Sequence, residues 1–292
     1  MKNPRVKWIY LLVLSIIWGS SFILIKKSLL GLSPYQIGAL RNIITGIVLF
    51  GFGYNTLKSI PKSKWKWLII SGLLGSFFPA FFFAIAETEI DSAVASILNS
   101  LVPLNTILLG FAVFNITSTK RQIIGVIIGF IGTAILIFKG SALNPNQNYL
   151  YAGFVIAATL MYATNVNIIK RYLQEIKPLA IATGNYIFII IPSLLILLNT
   201  DFFTSKRLEN PNLPRALFYI TILSVFGTAL AKVLFNKLVQ ISTPVFASSV
   251  TYVMPIIALI WGVLDGEIFG LTQGLAALLI MFGVYLSNKR NA

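Results

Sequence analysis

The 292-residue sequence has no cysteine, no histidine and only 8 acidic residues. Without cysteine there are no disulfides and no thiol chemistry. Without histidine as well, zinc sites and histidine proton relays are excluded. No glycine loop followed by Lys and Ser or Thr is present to cradle phosphates, so the chain is not expected to hydrolyse ATP. Charge of either sign is scarce, 11% of residues against about 25% in an average soluble domain. No charged residue falls in 8–25, 67–86, 92–119, 122–138, 140–169, 178–200, 238–264 or 268–288.

What remains is apolar, at 57% of the chain. A membrane-spanning helix needs about 20 mostly apolar residues, because the hydrocarbon core is about 30 Å thick and each residue rises 1.5 Å. Two further stretches, 35–54 around Arg41 and 214–236 around Lys232, are as apolar as the eight charge-free ones. The expected fold class is therefore an all-α membrane protein with ten transmembrane helices. A soluble fold of this length could not bury ten helices that are apolar all round, and a barrel would need an alternating pattern that is missing. The basic start and first apolar run resemble a signal peptide. The run is long and no small-x-small site follows it, so it is expected to stay as the first helix.

The net charge of +15 could suggest nucleic acid, but its distribution argues against that partner. With a cytoplasmic N-terminus, the inner segments hold clusters such as Lys58-Lys62-Lys64-Lys66, Lys120-Arg121, Lys170-Arg171-Lys177 and Lys289-Arg290. Fifteen cations fall inside and six outside, among the latter Lys26 and Lys27. This is the positive-inside bias, and it places both termini in the cytoplasm. Glu87, Glu89, Asp91, Asp265 and Glu267 fall in outer loops.

The chain also repeats itself. A shift of 144 carries Trp18-Gly19-Ser20-Ser21 onto Tyr162-Ala163-Thr164-Asn165, Lys26-Lys27 onto Lys170-Arg171, and Pro34 onto Pro178. A shift of 152 carries Gly75 onto Gly227, Phe83 onto Phe235, Ala95-Ser96 onto Ala247-Ser248, and Pro103 onto Pro255. Two units are expected, 1–140 and 141–292. Five helices in each is an odd number, so the second unit enters the bilayer from the opposite face. Inverted repeats with a site near the midplane are the architecture of secondary transporters, and two similar halves suit alternating access.

Trp18-Gly19-Ser20-Ser21-Phe22, Pro34 with Leu40-Arg41, Ser92-Ala93-Val94-Ala95-Ser96 before Pro103, Ala247-Ser248-Ser249 before Pro255, Gly266-Glu267 and Phe282-Gly283-Val284-Tyr285-Leu286 follow one another along the chain. In order and duplication they resemble the EamA-like family of the drug/metabolite transporter superfamily. The resemblance implies ten helices in two repeats, a central cavity with the fifth and tenth helices to one side, and export of amino acids, other metabolites or toxic compounds. It also implies a bacterial inner membrane. Family repeats often carry a Glu before the last helix of each unit; Glu267 fits, its partner position is Asn115, and Glu267 is read as structural.

Lys232 is the sharpest candidate for substrate binding. A cation at the bilayer centre costs about 2.5–3.5 kcal/mol on insertion scales, so it needs a wet cavity or a partner. It is read as the counter-charge for an anionic group such as a carboxylate, against a structural bond to carbonyls. Arg41 lies nearer the interface, where a structural role weighs at least as much. Asn99, Thr251, Tyr252, Asn165 and Asn236 are polar candidates within helices, with interhelical bonding as the plain alternative. Trp18 and Tyr162 occupy equivalent repeat positions and suit an aromatic cavity wall. Pro103 and Pro255 free a carbonyl and bend a helix, which suits gating. Gly125-Gly129 and Gly270-Gly274 permit close helix approach, either within the chain or in a homodimer through the fifth and tenth helices. No catalytic residue, metal or cofactor is expected. The partners are the lipid bilayer and a small-molecule substrate. An intramembrane enzyme would need clustered nucleophiles, acids or metal ligands, and a non-transporting scaffold leaves Lys232 without a purpose.

Overall fold

The computed structural model describes residues 4–114, 120–143 and 146–288; among these it consists of helices and short connections, with no β-strand. Ten apolar helical stretches follow one another: α1 (Val6–Ser28), α2 (Pro34–Ser59), α3 (Lys62–Ala86), α4 (Ser92–Gly110), α5 (Ile123–Phe138), α6 (Tyr149–Tyr172), α7 (Pro178–Leu198), α8 (Leu213–Ile241), α9 (Pro244–Leu264) and α10 (Leu271–Leu286). Eight have the length and composition to cross a membrane, while α5 and α10 are shorter apolar helices. The tenth starts only at Leu271, because 267–270 form no helix. Asn115, Lys289 and Arg290 lie outside the described residues.

Helix starts follow local chemistry. Before α2, Ser33 accepts from the Gln36 backbone N–H at 3.3 Å and the Gln36 side chain accepts from the Ser33 N–H at 2.9 Å, a reciprocal capping box followed by Pro34. Before α9, Thr243 accepts from the Phe246 N–H at 3.2 Å, again followed by a proline. The end of α9 turns through Gly266 at φ +83°, a left-handed conformation that glycine adopts without penalty. Glu267 N–H donates to the Gly262 carbonyl at 2.9 Å and Gly266 N–H to Val263 at 3.1 Å, closing a Schellman motif.

Packing is ordered around two groups. In the main bundle α2 packs on α7, α3 and α4 pack on α6, and α8 and α9 pack on α1; α5 and α10 pack chiefly on each other. Large apolar side chains point outward, among them Phe52, Phe138, Ile191 and Leu278, whereas Ser15, Asn42, Thr45, Ser71 and Asn185 are buried. Lipid gives helices no hydrophobic reason to associate, so close approach and polar bonds must do it. A Cβ on Gly283 would lie 2.5 Å from the Gly129 nitrogen and 2.6 Å from the Gly125 carbonyl. The Gly125-Gly129 face is therefore packed against α10 within the chain.

Several helices are irregular: α1 is interrupted at Ser20, and α2 ends in a 3-10 segment, Tyr54–Ser59. The fourth breaks at Ser100 and Leu101 just before Pro103, and α9 passes through a 3-10 turn, Ser249–Tyr252, just before Pro255. Proline cannot donate to the preceding turn and its ring crowds it, so the break precedes each proline. The third and eighth helices each contain a π segment, Leu73–Phe77 and Leu223–Leu230.

Candidate functional site

The breaks and π segments surround one cavity of about 910 Å³, counting the part open to solvent. Its walls come from α1, α2, α3, α4, α6, α8 and α9. Seven of the nine expected binding residues line it: Trp18, Arg41, Asn99, Tyr162, Asn165, Thr251 and Lys232. Asn236 does not; it is buried and donates to the Pro178 carbonyl at 3.2 Å, holding α8 to the start of α7. Tyr252 also lies off the lining, because the 3-10 turn directs its neighbours Thr251 and Met254 inward instead. Pro103 and Pro255 lie off the lining, each just after a helix break.

Lys232 reaches across from α8 to α3. Its Nζ donates to the Gly75 carbonyl at 2.7 Å and to the Ser76 hydroxyl. Four residues on, Pro79 has no N–H to return to the Gly75 carbonyl as a regular α-helix would. Arg41 reaches the same region from α2, and its Nε donates to Thr228 Oγ1 at 2.8 Å. No aspartate or glutamate lines the cavity, and no ion pair neutralises either cation among the described residues.

The remaining wall is aromatic and polar. Trp18 donates its indole N–H to the Gly227 carbonyl at 2.9 Å and lies 5.0 Å from the Phe235 ring. Tyr162 stacks on Phe83, with centroids 6.0 Å apart and planes within 21°. Asn165 accepts from Ser71 at 2.7 Å. Asn99 is buried, its Oδ1 has no hydrogen-bond partner, and its amide nitrogen meets only the Met254 sulfur at 4.0 Å. A buried acceptor without a partner is costly, so Asn99 is the lining group most in need of a ligand.

Sequence reasoning missed Ser76 and Thr228, which hold the two cations. They stand 152 apart, the shift that pairs Gly75 with Gly227, so the repeat contained the signal. The glycines are required by close approach. A Cβ at Gly75 would meet Asn165 Nδ2 at 2.4 Å and one at Gly227 would meet Ser21 Oγ at 2.8 Å, and Ser21 and Asn165 are themselves repeat partners.

Beyond the cavity, each end of the bundle is tied. At one end Lys26 pairs with Glu267 at 2.8 Å and Asp265 at 3.3 Å, and Lys27 pairs with Asp265. Glu267 also accepts from the Ser92 N–H at 3.0 Å, the Ser92 hydroxyl at 2.6 Å and the Ala93 N–H at 3.1 Å. It thus caps α4 with a carboxylate where the helix N-terminus is positive, the structural part expected of it. At the other end Lys170 donates to the Ser242 carbonyl at 2.6 Å, and Trp67 stacks on Tyr172 at 3.6 Å between Lys66 and Arg171.

The model of the EamA-like transporter family matches residues 6–138 and again 150–289. Similar proteins include protein PecM of Dickeya dadantii, 26% identical over 94% of this chain and 91% of that one. The uncharacterized inner membrane transporter YedA of Escherichia coli is 25% identical over 94% and 88%. An S-adenosylmethionine/S-adenosylhomocysteine transporter of Chlamydia muridarum is 24% identical over 87% and 82%. A protein crystal structure, 16% identical, superposes with a TM-score of 0.68 over 98% of this chain and 97% of that one, which bears on the fold. The chain belongs to the EamA-like transporter family and is a multi-pass membrane protein.

Proposed function

We propose that this member of the EamA-like transporter family is a secondary transporter that exports amino acids or similar small metabolites across the inner membrane by alternating access. The observation that carries the reading is the pairing of Arg41 and Lys232 in one cavity with no lining acid. Two uncompensated cations in a low-dielectric site favour a substrate bearing a carboxylate. The Trp18, Phe235, Tyr162 and Phe83 rings accommodate its apolar part, and Asn99 Oδ1 accepts from its amino group. S-adenosylmethionine, named for the Chlamydia relative, carries the same amino-acid group.

We take the chain as ten transmembrane helices in two inverted five-helix units, 1–140 and 141–292, with cytoplasmic termini. The reading is supported by contacts that recur at the same helix offset: α2 with α7, α5 with α10, α3 and α4 with α6 as α8 and α9 with α1. It places the Lys26–Glu267 cluster outside and Lys170 with the Trp67–Tyr172 stack inside. The test is mass spectrometry of the medium around cells overexpressing the protein or Lys232→Met at equal membrane levels. Selective loss of one metabolite class from the medium of the mutant supports export of that class; identical media overturn the assignment of Lys232 to substrate.

A further inference from the structure

One buried acid is used by nothing described so far. Glu87 follows the last residue of α3, one turn beyond the cavity-lining Phe83, whose carbonyl accepts its N–H at 3.0 Å. The residue is 6% exposed, and neither carboxyl oxygen has a hydrogen-bond partner. Its neighbour Glu267 takes four donors, among them the Lys26 ammonium. Two carboxyls thus share one locality in opposite circumstances, one saturated with donors and one buried without any from the protein. Such pairs divide the work of holding charge and holding a proton.

We propose that Glu87 is a proton-binding site of this protein: it holds a proton while the Lys26–Glu267 end is closed and releases it when those groups part and water enters. The O–H bond of the carboxylic acid breaks, the proton passes to water at that end, and the carboxylate left behind faces the Lys26 ammonium. Closure reverses the step. The groups around Glu87 set the direction. Burial pushes its carboxyl well above the usual carboxylate range, and the Glu267 charge adds to this. The charges of Lys26 on α1 and Arg41 on α2 oppose it without prevailing. Asp91, at the start of α4, is also raised by burial and by Glu267, while its bond to Gln147 and the Lys26 charge hold it back. Since the closed form holds its proton to higher pH than a hydrated carboxyl, closure is fully favoured below the ordinary carboxylate value and is lost as pH rises through the closed-state value.

The site's position relative to the cavity rests on the transport reading, but its proton does not, and both tests are independent of transport. In lipid nanodiscs at neutral pH, the full chain is expected to show the infrared carbonyl band of a protonated carboxylic acid. Glu87→Gln is expected to lose it and Asp91→Asn to retain it. No band, or a band retained in Glu87→Gln, overturns the proposal. If Glu87→Gln does not fold, Glu87→Asp is expected to shift the same band, and an unshifted band overturns it. For the coupling, Ile25→Cys, cavity-lining and 3% exposed, becomes a unique thiol in this cysteine-free chain. Its maleimide labelling, normalised to the exposed Ser59→Cys, is expected to quicken severalfold from mildly acid to mildly alkaline pH. The same profile in a Glu87→Gln background overturns the link to closure. Lost export with an intact band would fell the transport reading alone.

Discussion

The ammonium of Lys232 lies 2.7 Å from the carbonyl of Gly75, an oxygen that Pro79, four residues on, has no N–H to serve. A lysine in the membrane interior is thereby held in place by neutral acceptors, with no acid beside it. The same bond fastens α8 to α3, and a substrate carboxylate can compete for it.

Lys232→Met is expected to lower export about tenfold to a hundredfold, matching the roughly 1.5–3 kcal/mol of a hydrogen bond to a charged group. Membrane level should be unchanged, since methionine fills similar space. Efflux from loaded cells at matched expression measures it.

Thr228 positions Arg41 through one hydrogen bond, and Thr228→Val removes the acceptor with little change in volume. The apparent KM is expected to rise severalfold while the maximal rate changes less, because the guanidinium remains but is no longer aimed. Concentration-dependent uptake into proteoliposomes separates the two.

The glycines make a matched pair of tests. Gly283→Ala would press a methyl against the backbone of Gly129 and Gly125, costing about 1–3 kcal/mol by overpacking. Gly51 has open space around its Cβ position, so Gly51→Ala should be neutral or gain up to about 1 kcal/mol of helix stability. Thermal unfolding of the purified proteins in one detergent should give shifts of opposite sign or size.

Glu267→Ala removes the cap of α4 and the closer partner of Lys26 together, and about 3 kcal/mol of stability is expected to go with it. Acid should act in the same direction. Burial pushes the Asp265 carboxyl up, but its bonds to Lys27 and Lys26 outweigh this and hold it below the ordinary value. A depressed carboxyl stabilises above its unfolded pKa and loses that contribution as pH falls through the folded one. Melting temperature should therefore fall at acid pH, and less steeply in Asp265→Asn.

Much of the site was legible because charge is so rare here. Arg41 and Lys232 stood out against apolar neighbours, and the repeat paired Trp18 with Tyr162 and Gly75 with Gly227. Asn236 and Tyr252 misled for a physical reason: sequence shows that a residue is polar within a span but not which side of the helix it takes. At Tyr252 a 3-10 turn changed the angular spacing that a regular helix would have given. Ser76 and Thr228 were passed over because a small hydroxyl in a membrane helix usually bonds its own backbone, as Thr228 also does to the Leu223 carbonyl. The late start of α10 follows from Gly266, whose turn carries the chain to Glu267 at the α4 N-terminus before the last helix begins.

The π segments of α3 and α8 amount to stored chain. Each winds more residues into a turn than an α-helix does, so it contains slack that can be drawn out without unravelling the helix. Taking up one residue of that slack would rotate everything beyond it by about 100° and shift it by about 1.5 Å. Lys232 lies just past one such reserve, and the Gly75 and Ser76 atoms it grips lie within the other. The grip between the helices and the length of the wall they form are thus set by the same few residues, and a ligand that loosens the first gains leverage over the second.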